Sequence, residues 1–229
     1  MNQAKENSPK DEQKRKIILT AIDAFRLNGI KSITMDDIAA LLKMSKRTLY
    51  EMFSDKETLL MECLLYQQKY SRKKLKELVD NASNVLEVIL TCYEASVSAY
   101  NETNMRFFED VKKYPKVHAL MKRNKEQDNE VVVNFMKKGV EQGLFRDDIN
   151  FGIIQFLLKE QMELLIANRA NEEFPFLETY ESIMLTYTRG ISTEKGREEL
   201  DKFVTKYRAK KKARENGDDS ESKKEDIWI

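Results

Sequence analysis

The chain has 229 residues, with 40 Lys and Arg against 39 Asp and Glu, a formal net charge of +1. That length can bury a substantial core in one domain or two modest ones, while the near-neutral balance excludes reading a polyanion binder or an acidic protein from bulk charge; local clusters must decide. Seven glycines and three prolines among abundant Leu, Lys, Glu, Met and Ala predict an all-α protein.

The polar start MNQAKENSPKDEQKRK leads into a first helix expected over 12–28, with Ile17, Ile18, Ala21, Ala24 and Phe25 on its inward face. Gly29 is a natural stop, because glycine accepts the left-handed backbone that closes a helix. A second helix is predicted over Met35–Leu42. Thr34 caps it, Ile33 staples onto Ile38, and Asp36 and Asp37 sit where the helix dipole favours negative charge. Lys43, Met44 and Ser45 break the pattern, and a third short helix starts from the Ser45 cap, so two short helices are joined by a tight turn.

In MSKRTLYEMF, residues 44–53, helical periodicity puts Leu49, Met52 and Phe53 on one stripe and Lys46, Arg47 and Tyr50 on another part of the surface. One face is suited to docking on a core and the other to an external partner. Ser54 and Glu57 form an expected capping box for a fourth helix that continues to about Val79.

Further helices are expected over Val85–Tyr100, over Asn104–Lys113, and from Pro115 as far as Gly143. The segments 150–167 and 175–189 are apolar on more than one side, and a helix of that kind needs more than one neighbour. A second copy of the chain is therefore expected against Phe156, Leu157, Tyr180, Ile183, Met184 and Tyr187, the alternative being an internal pair in a monomer. Residues 202–214 hold seven basic and no acidic side chains, which suits either phosphate attraction or a solvated surface. Cys63 and Cys92 lie in helical patterns without C-x-x-C spacing and are read as small hydrophobes. No run approaches the roughly 18 apolar residues of a membrane span, so the expected compartment is the cytoplasm.

The segment ITMDDIAALLKMSKRTLYEMFSDKETLL, residues 33–60, resembles the DNA-binding region of the TetR (tetracycline repressor-like) transcriptional regulators. The resemblance is strong over 12–60 and weaker at YPKVHAL and YTRGISTEKG. It implies an N-terminal helix-turn-helix three-helix bundle, 10–57; a larger helical ligand-binding and dimerisation domain, 58–200; and here a charged extension, 201–229. One departure is Lys43, where members often have glycine. A lysine in a left-handed turn costs about 1 kcal/mol.

The resemblance implies a homodimeric repressor that binds a double-stranded operator and is released by a small-molecule effector, with no cofactor or metal. Arg47 is the first candidate for reading a base and Lys46 the second, since long cations reach the paired acceptors of guanine. Thr48 can bond a base or pack. Tyr50 and Lys56 suit phosphate oxygens, and Thr34 and Ser45, caps in any case, flank the helix starts. Effector candidates are Cys92, Tyr93, Tyr100, Phe107, Phe108, His118 and Met121, each with core packing as its alternative. Their aromatic and methionine content favours an apolar or aromatic effector.

Two rival classes remain. An enzyme with a histidine triad would have to use His118, the single histidine, and no H-E-x-x-H, G-x-S-x-G or phosphate-loop pattern occurs; the expectation is no catalysis. A helical protein-interaction module would need the polar face of MSKRTLY to meet protein.

Overall fold

The structure, a computed structural model, describes residues 8–117, 119–120, 129–167 and 174–215. All regular structure among these residues is helical, apart from an isolated bridge between Phe145 and Ser192. The described residues divide into two compact units, one of 8–73 with 98–117 and 119–120 and the other of 74–97 with 129–167 and 174–215. The described residues of 98–120 therefore group with the N-terminal helices, an association between segments distant in sequence.

In the first unit, α1 spans Pro9–Asn28. It starts earlier than the expected Glu12 because Ser8 is a complete cap: its Oγ accepts from the Asp11 amide at 3.2 Å, Asp11 accepts from the Ser8 amide at 3.2 Å, and Pro9 occupies the first turn. The helix closes at Gly29, φ 82°, whose amide donates to the Phe25 carbonyl at 2.9 Å. A Cβ there would lie 2.8 Å from that of Arg106, so both the backbone and the neighbour require glycine.

Helix α2 is Met35–Leu41 and α3 is Lys46–Met52. Helix α4, Lys56–Asn81, corrects the expected cap. The Thr58 amide donates to Asp55 Oδ1 at 2.7 Å and the Leu59 amide to the Asp55 carbonyl at 3.1 Å, so Asp55 is the cap rather than Ser54. Glu57 instead accepts from the Lys116 amide at 3.4 Å.

Helix α5 is Val85–Asn101 and α6 is Met105–Val111, the latter capped by Asn104. Residues 115–117 and 119–120 are helical. The core of this unit joins Ile17, Ala21 and Phe25 of α1, Ile38 of α2, Leu49 of α3, and Leu59, Leu60 and Cys63 of α4 to Val111 and Val117. Burying a side chain such as Leu49, 0% exposed, contributes roughly 1.5–3 kcal/mol and fixes which way α3 faces. Burial also pushes the Cys63 thiol up, so it stays a neutral, unreactive hydrophobe.

The second unit contains the first part of α5 with α7, Asn129–Glu141; α8, Phe151–Ala167; α9, Phe176–Ile191; and α10, Glu194–Glu215. Of the helix expected from Pro115 to Gly143, residues 115–117, 119–120 and Asn129–Glu141 are helical, Gln142 and Gly143 form a turn, and 121–128 lie outside the described range. Val85, Leu86 and Leu90 of α5 meet Phe145, Phe151, Ile191, Leu200 and Val204 in one core. Helix α10 is packed at Leu200 and Val204, but Lys206, Arg208, Lys210, Lys211 and Lys212 are exposed, and Arg208 pairs with Glu181 at 3.0 Å. No described helix is long and apolar enough to cross a membrane.

Candidate nucleic-acid interface

The expected interface is built by α2, α3 and the turn between them. Thr34 caps α2 reciprocally: Thr34 Oγ1 accepts from the Asp37 amide at 3.1 Å, and Asp37 accepts from the Thr34 amide at 2.8 Å. The Thr34 hydroxyl, which donates to Asp37 Oδ2 at 2.6 Å, and then the Thr34 amide hold the Asp37 carboxyl below the usual carboxylate range. In the turn, the Lys43 amide donates to the Ala40 carbonyl and the Met44 amide to the Ala39 carbonyl, both at 3.0 Å. Lys43 sits at φ 52°, the left-handed conformation in which glycine is the easier residue. Ser45 then caps α3, accepting from the Thr48 amide at 3.1 Å.

Leu49 and Phe53 are buried and Met52 is half-buried, so one side of α3 is anchored in the core. Lys46, Arg47, Tyr50 and Glu51 are exposed on α3. The Arg47 side chain is 89% exposed and its Nε donates to Glu51 Oε1 at 2.9 Å. Lys46 Nζ lies 2.6 Å from Asp36 Oδ2, and that hydrogen bond raises the lysine pKa above its ordinary value.

The other candidates divide. Thr48 is half-buried, with its hydroxyl 2.8 Å from that of Ser45, an arrangement that helps fix the helix start. Tyr50 is 47% exposed and available to a phosphate. Lys56 is drawn inward: Nζ is 3.5 Å from the Lys31 carbonyl and 6.0 Å from the centre of the Phe25 ring, and desolvation lowers its pKa.

Asp110 is a structurally important residue that the sequence did not single out, since it reads as one more carboxylate on a polar helix face. It is buried, and its Oδ2 accepts from the Lys31 amide at 2.7 Å while Oδ1 accepts from Lys113 at 3.0 Å. Burial pushes its pKa up, but the Lys31 amide and Lys113 outweigh burial and leave it below the ordinary carboxylate value. Next to it, the Asn104 amide donates to the Arg26 carbonyl at 2.9 Å and Arg26 pairs with Glu102 at 2.8 Å. These polar bonds tie 102–110 to the α1–α2 connection.

Asp110→Asn is expected to destabilise the protein by about 1–3 kcal/mol at neutral pH. A carboxylate depressed in the folded state stabilises it above its unfolded pKa, near 4, and loses that contribution as pH falls through the lower folded value. Thermal melts from pH 6 to 2 should therefore show a steeper acid loss for wild type than for Asp110→Asn; parallel curves would remove this role for the carboxylate.

The effector candidates are spread through the fold. Tyr100 stacks on Phe108 at 5.8 Å and Phe107 meets Phe108 edge-on at 5.7 Å in the first unit. In the second, Tyr93 contacts both Tyr180 and Tyr207 at 5.4 Å, and burial pushes the half-buried Cys92 thiol up to about 11. His118 and Met121 lie outside the described residues. An open depression of about 300 Å³ is lined by Glu130, Val133, Gly152, Gln155, Phe156 and Lys159, none of them an effector candidate. Among the described residues no group of three or more His, Cys, Asp or Glu is arranged to hold a metal ion.

Of the dimer candidates, Phe156 and Leu157 are exposed at 59% and 42%, on a stripe with Ile153 and Leu164. Ile183, Met184 and Tyr187 are half-buried, whereas Tyr180 turns its ring onto Tyr93 inside the second unit.

Comparison with known proteins places this geometry. The family described as "Bacterial regulatory proteins, tetR family" matches residues 17–63, from α1 through the first turns of α4. The chain is 22% identical over 156 residues, covering 66% of it and 78% of the relative, to the HTH-type transcriptional repressor KstR2 of Mycobacterium tuberculosis. It is 25% identical over 150 residues, 63% of the chain and 73% of the relative, to KstR2 of Mycolicibacterium smegmatis. Among solved structures, a transcriptional regulator from Cytophaga hutchinsonii shares the fold with a TM-score of 0.62 at 19% identity, over 80% of this chain and all 100% of that one. The ketosteroid transcriptional regulator KstR2 of M. tuberculosis aligns over 84% of this chain and 98% of its own, with a TM-score of 0.50 at 19% identity. The capped α2, the left-handed turn at Lys43 and the half-anchored α3 all lie inside the segment that matches the tetR family of bacterial regulatory proteins.

Proposed function

We propose that this protein is a sequence-specific DNA-binding transcriptional regulator, acting as a homodimeric repressor that a small-molecule effector releases from its operator. The observation that carries the reading is α3 itself. Leu49 and Phe53 lock one face into the core, while Lys46, Arg47 and Tyr50 project from a surface rigid enough to enter a major groove. Arg47 reads a base, Tyr50 meets a phosphate, and the caps Thr34 and Ser45 hold register. The region 58–200 carries effector binding and dimerisation, no catalysis is involved, and the protein works in the cytoplasm.

The named activity of the KstR2 relatives, transcriptional repression, supports the direction of control. The effector's class is apolar or aromatic, in keeping with the ring clusters at Tyr100, Phe107 and Phe108 and at Tyr93, Tyr180 and Tyr207. To control the operator it must bind two conformations with different affinity. The bonds from Asp110 and Asn104 to the α1–α2 connection give such a change a mechanical path to the reading helices.

Selection from a random duplex library tests the proposal. A folded wild-type protein should enrich one operator, and Arg47→Ala should lose about 1–3 kcal/mol of discrimination at one base pair of each half-site. No enrichment at low or near-physiological salt would refute it.

A further inference from the structure

Both cations on the reading helix are held by carboxylates. Lys46 is bonded to Asp36 of α2, and Arg47 to Glu51 one turn further along α3. These four side chains sum to zero charge on the face expected to meet a polyanion. All four are between 50% and 89% exposed, so none is needed to fill the core.

Glu51 is poorly placed for helix stability. The N-terminal turn of α3 holds no acidic residue and its last turn no basic one. The cations sit at the positive end of the dipole and the carboxylate near the negative end, the unfavourable arrangement. An Arg followed four residues later by Glu is also the weaker order for a helical ion pair. An exposed pair of this kind adds little to folding, and a negative charge beside a phosphate backbone opposes binding. What the pair does fix is orientation: Glu51 takes the Arg47 Nε–H at 2.9 Å, which aims the guanidinium and leaves its Nη groups to span two acceptors.

We infer that Glu51 is a specificity-determining residue, and that Arg47 and Glu51 together read a guanine and a cytosine amino group in the major groove. This rests on the DNA-reading function proposed above. The Nη groups of Arg47 donate to guanine O6 and N7, and the Glu51 carboxylate accepts from cytosine N4, the amino donor that a G·C pair presents in that groove. A base edge with both features satisfies the pair without breaking the Arg47–Glu51 bond. A phosphate engages the guanidinium but repels the carboxylate, so Glu51 weakens non-specific binding while rewarding the right sequence.

The test uses the full chain as wild type, Glu51→Ala and Glu51→Gln, with folding checked by thermal melting. Each is put through random-duplex selection and then titrated against the selected operator and a scrambled duplex. The wild type should enrich a G·C pair in each half-site. Glu51→Ala should flatten base frequencies at that position or its neighbour and leave the other positions intact. Its ratio of operator to scrambled affinity should fall about 5- to 100-fold, with tighter binding to the scrambled duplex. Glu51→Gln, which keeps an acceptor but loses the charge, should also bind scrambled duplex more tightly. Unchanged base frequencies and an unchanged ratio for both variants would overturn the inference, as would a wild-type operator with no G·C preference in its half-sites, in either case with the DNA-reading function intact. A folded wild type that enriches nothing removes that function and the inference with it.

Discussion

Replacing Phe156 and Leu164 together by glutamate is expected to turn the proposed dimer into a folded monomer and to lower operator affinity by about 10²–10⁴-fold. Ile153, Phe156, Leu157 and Leu164 are 54%, 59%, 42% and 59% exposed, and their spacing puts them on one stripe of α8. A helix that already packs on α7 and α9 within its own chain, yet leaves Phe and Leu side chains in water, has an apolar face to spare. A second copy related by a two-fold axis would cover that face, and a dimer carries two reading helices for half-sites one turn of DNA, roughly 34–36 Å, apart. Glutamates at two symmetric positions would place four charges in the contact. Sedimentation should show the change of mass, circular dichroism should show retained helix, and a binding titration should show the loss of avidity. A wild-type protein that stays monomeric at micromolar concentration and still binds its operator tightly would sink this assembly. Phe156 and Leu164 are better targets than Ile183 and Met184, which are half-buried and whose replacement would also damage packing within the chain.

Phe145→Ala should destabilise the second unit by about 3–5 kcal/mol. The ring is 2% exposed, lies 6.3 Å from Phe151, and fills the space above Gly139, where a Cβ would come within 2.1 Å of its Cδ2. The surrounding turn is bonded on both sides: the Leu144 amide to the Gly139 carbonyl at 2.9 Å, the Arg146 amide to the Ile191 carbonyl at 2.8 Å, and the Thr193 amide to the Leu144 carbonyl at 2.9 Å. Truncating the ring leaves a cavity that these backbone bonds prevent from collapsing. Urea unfolding followed by helicity should show the midpoint fall, and a loss below about 1 kcal/mol would mean that the site repacks. The effect should exceed that of an alanine substitution at Lys46, Arg47 or Tyr50, whose exposed side chains leave no cavity.

Helix positions were legible wherever a local signal ends an element. Thr34, Gly29 and Ser45 each satisfy or release backbone groups within four residues, so their role is readable from the chain order alone. The two departures have the same cause. Ser8 with Asp11, and Asp55 with Thr58, are equally local signals, but each competed with a neighbouring residue of similar chemistry, Glu12 as a start and Ser54 as a cap.

The exposed face of α3 was legible for a related reason. Once Leu49 and Phe53 are assigned to the core, helical geometry leaves Lys46, Arg47 and Tyr50 outside, and no tertiary information is needed to say so. By itself, then, the sequence determined the all-helical class, the short capped helices around residues 34–53 and the cations they display. Only the tertiary structure decided which carboxylate Lys46 meets. Asp36 reaches Lys46 from another helix, and Asp110 is carried from 79 residues away to the Lys31 amide. It also decided that Lys56 folds inward, that Tyr180 faces Tyr93, and that the free apolar stripe is on α8. Caps and periodicity are fixed by neighbours along the chain, whereas the burial of a charge or the exposure of an apolar face depends on what distant segments bring alongside, and a single sequence does not encode that in any local pattern.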